Sequence, residues 1–155
     1  MFRVAVVGAT GAVGGTMLRV LEERGFPVSE LRPLASPRST GRQLDYLGRP
    51  VYVETLTEDA FEGIDIALFS AGGDRSRTFA PAAVEAGAVV IDNSSAFRLD
   101  ANVPLVVPEV NESDLEGHSG IIANPNCVAA PLVVGLKPSR TRSAWNGSSS
   151  RATSR

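Results

Sequence analysis

Short apolar runs alternate along the chain with stretches in which apolar side chains recur at helical spacing. Val13, Met17 and Leu21 lie on one face of the first such stretch. Helices are predicted over 11–25, 75–86 and 127–136. The apolar runs predict strands at 2–7, 31–35, 51–53, 64–69, 88–91, 105–107 and 120–123. This alternation predicts an α/β fold, a Rossmann-type parallel sheet with flanking helices.

Two prolines and one polar stretch interrupt the pattern. Pro33 lies in the second predicted strand and favours an edge position or a bulge, because proline cannot donate to the ladder. Pro131 predicts a distorted first turn in the helix at 127–136, since its ring would press on the carbonyl of Cys127. Residues 36–48 are polar and are predicted to form a loop.

The composition separates residues 1–138 from 139–155. The whole chain has 155 residues, of which 43% are hydrophobic and 21% charged, as in folded globular proteins. Residues 139–155 contain four Arg, no Asp or Glu and no apolar periodicity. We therefore expect 1–138 to be the folding unit and 139–155 to be a disordered tail.

Charge and cysteine content narrow the function classes. The formal net charge is −2, so the chain has no excess of basic residues that would favour binding to nucleic acid. A single cysteine excludes a disulfide framework and a cysteine-rich zinc site, so we expect no metal. No apolar run is long enough to span a membrane. Met1 directly precedes a predicted strand, so we expect no secretory leader and a cytoplasmic protein.

A glycine motif follows the first predicted strand and opens the first predicted helix. Gly8 permits a tight turn, Gly11 allows the backbone to approach a pyrophosphate, and Gly14 allows the helix to pack closely on the strand. The unpaired N–H groups of the helix start would face the phosphates. The motif predicts a dinucleotide site, and a simple tight turn is the alternative.

The residues after the second predicted strand indicate which dinucleotide binds. NAD sites usually carry an acid there for the ribose 2′-hydroxyl, and none is present. Arg38, with Ser36 and Ser39, is suited to a 2′-phosphate instead. NADP is therefore the predicted cofactor; a solvated surface arginine is the alternative.

Cys127 follows Asn124, Pro125 and Asn126 near a predicted helix start. A helix N-terminus stabilises a thiolate, and a nucleophilic cysteine beside a nicotinamide site suggests thioester chemistry on an acyl group. The alternative is an inert cysteine in the core.

Two further side chains carry open alternatives. Arg98 lies in a polar loop after a predicted strand and is either an anion clamp or an ion-pair partner of Asp92 or Asp100. His118, in a turn-like segment, is interpreted as a surface-loop histidine rather than a general base.

Six segments together resemble aspartate-semialdehyde dehydrogenases. They are G-A-T-G-A-V-G at 8–14, S-P-R-S-T-G at 36–41, S-A-G-G at 70–73, I-D-N-S-S-A-F-R at 91–98, V-P-E-V-N at 107–111 and N-P-N-C at 124–127. The family is cytosolic and homodimeric, with an NADP-binding Rossmann domain and a second domain for catalysis and dimerisation. It converts L-4-aspartyl phosphate and NADPH into L-aspartate 4-semialdehyde through a cysteine thioester. This reaction leads to lysine, threonine, methionine and, in bacteria, diaminopimelate.

The resemblance also implies residue roles. Cys127 would be the acyl-thioester nucleophile, and Arg98 and Asn126 would bind the substrate and its phosphate. Arg38 and Ser39 would hold the 2′-phosphate of NADP. The remaining cofactor contacts would come from Gly8, Thr10, Gly11, Ala12, Val13, Gly14, Ser36, Ser70, Ala71 and Gly72.

The resemblance ends at 136–138. The family's substrate glutamine, substrate arginine and general-base histidine lie beyond that point and have no counterpart here. We therefore expect a dinucleotide-binding domain at 1–138, a non-family tail at 139–155 from a truncation or shifted reading frame, and no second domain. Such a chain would be an incomplete, inactive fragment.

Other classes fit the sequence less well. N-acetyl-γ-glutamyl-phosphate reductases share the thioester chemistry but usually read N-P-G-C. Short-chain dehydrogenases and epimerases need Tyr-x-x-x-Lys, whereas Tyr46 and Tyr52 are followed four positions on by Pro50 and Leu56. A non-catalytic NADP-binding fragment is the remaining alternative.

Overall fold

The computed structural model describes residues 1–142, with side chains described through Lys137. Its strands are β1 (Phe2–Val7), β2 (Val28–Ala35), β3 (Gln43–Tyr46), β4 (Arg49–Tyr52), β5 (Glu54–Thr55), β6 (Ile66–Phe69), β7 (Val89–Asp92) and β8 (Ile121–Ala123). Its α-helices are α1 (Ala12–Glu23), α2 (Gly73–Glu85), α3 (Pro108–Asn111) and α4 (Ala129–Arg142). Short 3₁₀ helices lie at Pro37–Ser39, Asp59–Phe61 and Glu112–Gly117.

Six of the described strands form one parallel sheet in the order β5-β2-β1-β6-β7-β8. This is the strand order of a Rossmann fold, which confirms the predicted fold class. The strands all run in the same direction, but the order in which they are added to the sheet reverses at β1. The chain first adds β2 on one side of β1 and later adds β6 on the other side. Ligands of such sheets bind at this switch point, outside the carboxyl ends of the strands.

The central strand β1 is buried on both faces. Val4 and Val6 pack in the cluster that includes Leu18 of α1, whereas Ala5 and Val7 belong to the larger cluster on the other face. All four are fully buried. Because side chains alternate along a strand, a continuous apolar run supplies both layers, and the sheet is covered on each face.

The structure corrects the expected edge position of β2. This strand lies between β5 and β1, and the shift in its register with β1 is not at Pro33. The carbonyl of Leu34 accepts from the N–H of Gly8 at 2.8 Å, so the backbone of Leu34 faces β1 and that of Pro33 faces the other neighbour. β5 pairs only with Leu34 and Ala35. The missing N–H of Pro33 therefore costs no bond between β2 and either neighbour.

Two other local expectations differ from the structure. Part of the polar stretch predicted as a loop forms β3, which pairs with β4 as an antiparallel hairpin. Leu47 and Gly48, between the two strands, both have positive φ, as a tight two-residue hairpin turn requires. The strand predicted at 105–107 is reduced to one bridge between Leu105 and Ala123.

The last described helix runs past the expected end of the folding unit. α4 includes residues 139–142, which the composition assigns to a disordered tail, and their helical backbone differs from that expectation. The rest of the expected tail, 143–155, lies outside the described residues. Among residues 1–142, the helices are all too short or too polar to cross a membrane.

Candidate functional site

The glycine motif forms a close contact between β1 and α1. Gly8 leaves the strand with a φ of +86°, a conformation that L side chains rarely adopt. A Cβ on Gly14 would lie 2.2 Å from the carbonyl oxygen of Gly8 and 2.8 Å from the Cα of Ala9. Only a residue without a side chain fits there, which is the packing role that the spacing predicts for Gly14.

The start of α1 is open to an anion. Gly11 is the N-cap in an extended conformation, without a side-chain capping bond, and the first turn contains no acid. Ala12 and Val13 are exposed. The first N–H groups of the helix and its positive dipole end are therefore available for a phosphate.

The loop after β2 reaches the glycine motif. The hydroxyls of Thr10 and Ser39 lie 3.5 Å apart, so the structure brings two of the predicted cofactor segments together. Arg38 is exposed and forms no hydrogen bond or ion pair with other residues in the described range. Its guanidinium is available for a ligand, and both of its predicted interpretations stay open.

A cavity of about 230 Å³ lies between these segments at the carboxyl ends of β1, β2 and β6. Its lining residues are Gly8, Thr10, Gly11, Ala35, Ser36, Leu56, Ser70, Ala71 and Arg75. Most belong to the predicted cofactor set. Ala35, Leu56 and Arg75 do not belong to it, and none of the three is part of a recognised motif. Arg75 was not singled out from the sequence; the available signal was a cation in the first turn of the helix that follows S-A-G-G.

Ser70 fixes the third cofactor segment against the first. Its hydroxyl donates to the carbonyl of Val7 at 2.9 Å, and a Cβ on Gly8 would lie 3.0 Å from that hydroxyl oxygen. The ends of β1 and β6 are thus in direct contact at the switch point. Gly72, with a φ of +92°, then caps the start of α2.

Cys127 lies in a turn just before α4. The sequence predicted it as the first residue of a helix over 127–136, whereas the helix begins at Ala129. The carbonyl of Asn126 accepts from the N–H of Ala130 at 3.0 Å, so a helical turn closes around the cysteine. Pro131 has no N–H to donate to the carbonyl of Cys127, and the continuous helix begins only at Ala129. The distorted first turn expected from this proline is therefore present.

The side chain of Asn126 caps this turn. Its Oδ1 accepts from the N–H of Val128 at 2.8 Å and lies 3.9 Å from the sulfur of Cys127. The cysteine is exposed, which excludes the alternative of an inert core residue. It opens onto a cavity of about 250 Å³ that Asn93, Asn124 and Pro125 also line.

Arg98 holds two loops of this second cavity together. Its Nε donates to the carbonyl of Asn124 at 2.8 Å, and its Nη2 donates to the carbonyl of Asn93 at 3.1 Å. The alternative of an ion pair with Asp92 or Asp100 is wrong. Arg98 pairs with no carboxylate within the described part of the chain, so its charge is available to an anion.

Asp92 is a fully buried carboxylate that sequence reasoning did not single out as part of the site framework. Its oxygens accept from the hydroxyl of Ser76 at 2.7 Å, and from the hydroxyl and N–H of Ser94 at 2.6 and 3.1 Å. These three bonds fix the loop after β7, which leads to Arg98. The run D-N-S-S directly after a buried strand was the available signal.

His118 follows the 3₁₀ helix at Glu112–Gly117. Its Nδ1 accepts from the N–H of Gly120 at 3.0 Å, which agrees with its interpretation as a loop histidine. Within residues 1–142, the structure contains no group of three or more side chains suited to hold a metal ion.

Residues 3–118 match the family described as semialdehyde dehydrogenase, NAD binding domain. The chain belongs to this family. It is 56% identical over 137 residues to the aspartate-semialdehyde dehydrogenase of Bacillus subtilis, covering 88% of this chain and 40% of that protein. The chain therefore spans about two fifths of the length of such relatives. The resemblance inferred from the six segments is confirmed.

Solved structures give the same result. Aspartate semialdehyde dehydrogenase II of Vibrio cholerae, complexed with ASA, matches with a TM-score of 0.88 and 52% identity, covering 91% of this chain and 47% of that one. The enzyme of Candida albicans, solved with NADP, matches with a TM-score of 0.73 and 25% identity, covering 92% and 47%. The Rossmann-type fold of this chain is thus the fold of its family.

Proposed function

We propose that this chain is the cofactor-binding part of an aspartate-semialdehyde dehydrogenase. The reaction would be the NADPH-dependent reductive dephosphorylation of L-4-aspartyl phosphate to L-aspartate 4-semialdehyde. One observation carries the proposal: the exposed Cys127 opens onto a cavity whose lining residues Asn93 and Asn124 are held by Arg98 through their carbonyls, at the same sheet edge as the glycine motif. We further propose that the protein acts in the cytoplasm and shares the homodimeric state of its family.

The residues at the first cavity fit NADP. The contact of Gly14 with Gly8 and the uncapped start of α1 suit a pyrophosphate. Ser36, Arg38 and Ser39 would hold the adenosine 2′-phosphate, since the end of β2 carries no acid for a 2′-hydroxyl. When bound, the reduced nicotinamide supplies a hydride to an acyl group. A relative solved with NADP supports this choice.

Cys127 would act as the nucleophile. Its thiolate attacks the acyl carbon of the substrate, a carbon–sulfur bond forms, and the carbon–oxygen bond to phosphate breaks, so that phosphate leaves with the electron pair. A hydride supplied to the resulting thioester would leave a tetrahedral alkoxide on the sulfur of Cys127. Collapse of this alkoxide breaks the carbon–sulfur bond, releases the aldehyde and regenerates the thiolate. Exposure of the sulfur and the cap from Asn126 support this role.

Arg98 would bind the substrate phosphate. Two of its nitrogens are fixed by backbone carbonyls, which orients the guanidinium without neutralising it. A charge-assisted bond to a phosphate oxygen is shorter and stronger than a bond between neutral groups. The departing phosphate would gain charge next to this cation, which favours thioester formation.

We propose that this chain forms the thioester on Cys127, because the thiol and the arginine that fixes the neighbouring loops are both among its residues. The alternative of a non-catalytic NADP-binding fragment differs in one respect, because it predicts no acylation of Cys127.

The deciding experiment is intact-mass spectrometry after rapid acid quenching. The purified chain is incubated with L-4-aspartyl phosphate, generated from aspartate and ATP by an aspartate kinase. We expect the mass to increase by one aspartyl group, and Cys127→Ser to show no increase, because the chain contains one cysteine. Calorimetry should show equal NADPH affinity for both proteins. An unmodified wild-type chain would favour the non-catalytic alternative, and preferential labelling by N-acetylglutamyl phosphate would favour the reductase.

A further inference from the structure

Arg75 is a charged side chain on the wall of the first cavity, outside every motif that indicates a cofactor. It lies in the first turn of α2, two residues beyond Gly73, the first residue of the helix. The same cavity is lined by Ala35 and Ser36 at the carboxyl end of β2. In Rossmann folds this end of the second strand faces the ribose of the adenosine. Arg75 therefore shares a cavity with the position of the ribose 2′-oxygen.

The charge of Arg75 is not neutralised by the described residues. Its Nη1 donates to the carbonyl of Ala71 at 3.3 Å, one turn back in the chain. The neighbouring acid Asp74 pairs with Arg77 instead, at 3.3 Å. The residues that line the cavity include no Asp or Glu. A cavity wall with one cation and no acid is suited to an anionic group.

We propose that Arg75 is a second specificity-determining residue, which binds the adenosine 2′-phosphate of NADP together with Arg38. This inference rests on the proposed function. A phosphate monoester carries a charge of about −1.5 to −2 at neutral pH, so a single arginine leaves part of it uncompensated. Arg38 lies in the turn Pro37–Ser39 and does not line the cavity. Arg75 supplies the second positive charge from the cavity side.

The bond to Ala71 suits this role. It occupies one nitrogen of the guanidinium and holds the side chain along the start of α2. The remaining N–H groups stay available, and a guanidinium can donate two parallel bonds to phosphate oxygens. The pyrophosphate has its own donors at the start of α1, so it does not need Arg75.

The test compares Arg75→Met with the matched control Arg77→Met, an arginine on the same helix whose charge is already paired. Calorimetry measures the dissociation constants of NADPH, NADH and adenosine 2′,5′-bisphosphate for the full chain. We expect Arg75→Met to weaken NADPH and the bisphosphate by about tenfold and to change NADH by less than about twofold. Arg77→Met should leave all three unchanged, and Arg75→Lys should restore part of the loss.

The possible outcomes separate the two proposals. If Arg75→Met weakens the binding of NADPH and NADH equally, the guanidinium contacts the adenine or the pyrophosphate. That result would overturn this inference and leave the proposed function standing. An unchanged NADPH affinity in Arg75→Met would overturn it as well. A wild-type chain that binds neither nucleotide would overturn the proposed function, and this inference with it. Melting curves of both variants show that each is folded.

Discussion

The two cavities at the carboxyl edge of the sheet are built in different ways. The cofactor cavity depends on backbone geometry: Gly8 turns with positive φ, and Gly14 leaves no room for a Cβ. The cavity at Cys127 depends on side chains that bond to backbone groups of other loops. Arg98 joins two loops by their carbonyls, and Asn126 caps the turn around the thiol.

This difference has a consequence for substitutions. The fold around the cofactor cavity should tolerate exchanges of exposed side chains but not a methyl group added at the contact between β1 and α1. The loops around the cavity at Cys127 depend instead on single polar side chains, since removing one breaks the hydrogen bonds that connect them. A contact fixed by close packing changes the fold when it is altered, whereas a loop fixed by hydrogen bonds changes the site.

The largest effect is expected for Gly14→Ala. The added Cβ would approach the carbonyl oxygen of Gly8 to 2.2 Å, so α1 must move away from β1. We expect a loss of about 3 kcal/mol or more in the free energy of unfolding, at the upper end of overpacking. NADPH binding should also be lost, because the start of α1 moves. Urea denaturation and calorimetry measure the two effects.

The matched control for this substitution is Gly15→Ala, the next residue of the same helix. A Cβ there meets no atom within 4 Å. Alanine is favoured over glycine in a helix interior by about 0.8–1 kcal/mol, so this variant should be slightly more stable. If Gly14→Ala were as stable as Gly15→Ala, the close contact would not be what holds the cofactor loop.

The next effect is expected for Arg98→Leu. Removing its two hydrogen bonds leaves the carbonyls of Asn93 and Asn124 without this partner, and we expect a loss of about 1–3 kcal/mol in the free energy of unfolding. Inorganic phosphate should slow the alkylation of Cys127 by iodoacetamide in the wild type and not in the variant. Protection that persists in Arg98→Leu would assign the anion to another group.

The cofactor side of the site was predictable because its signal is contiguous. A strand, three glycines and a helix within 2–25 fix both the local backbone and the sheet edge that binds the ligand. The absence of an acid after the second predicted strand also indicated the loop at Ser36, Arg38 and Ser39, and the hydroxyls of Thr10 and Ser39 do meet there. Arg75 was missed since the approach of α2 to this cavity depends on the packing of the whole sheet.

The second cavity was predictable only in part. Cys127 was identified, and Pro131 indicated the distorted first turn, although the predicted helix began at Cys127 and the observed α4 begins at Ala129. Both partners of Arg98 are backbone carbonyls, which the residue types do not reveal, so the sequence left an ion pair with Asp92 or Asp100 open as an alternative. Edge and loop assignments at Pro33 and β3 failed for a similar reason, because pairing partners decide them.

A smaller and more selective effect is expected for Arg38→Ala. The side chain is exposed and pairs with no acid in the described residues, so unfolding should change by less than about 0.5 kcal/mol. Losing a charge-assisted bond to the 2′-phosphate should weaken NADPH binding by about tenfold and leave NADH nearly unchanged. Parallel titrations with the two nucleotides measure this ratio. Equal losses would show that Arg38 does not contact the 2′-phosphate.

The smallest effect is expected at the amino end of the sheet, far along β1 from both cavities. The backbone N–H of Arg3 donates to the carboxylate of Asp65 at 2.7 Å, and its guanidinium adds a second bond at 3.3 Å. These bonds, the backbone one foremost, hold the pKa of Asp65 below its ordinary value. The charged carboxylate therefore stabilises the folded state above the unfolded pKa of about 4, and this contribution is lost as the pH falls through the folded value.

Asp65→Asn tests this end of the sheet independently of either cavity. The variant should be slightly less stable than the wild type at pH 7, because Arg3 loses a charged partner that is itself partly exposed. The difference should begin to shrink as the pH falls below about 4 and should vanish below the lowered pKa of the folded Asp65, where the wild-type carboxylate is protonated too. Urea midpoints across this range measure it. NADPH affinity and Cys127 alkylation should stay unchanged, and a shift in either would show that the sheet transmits changes from one end to the other.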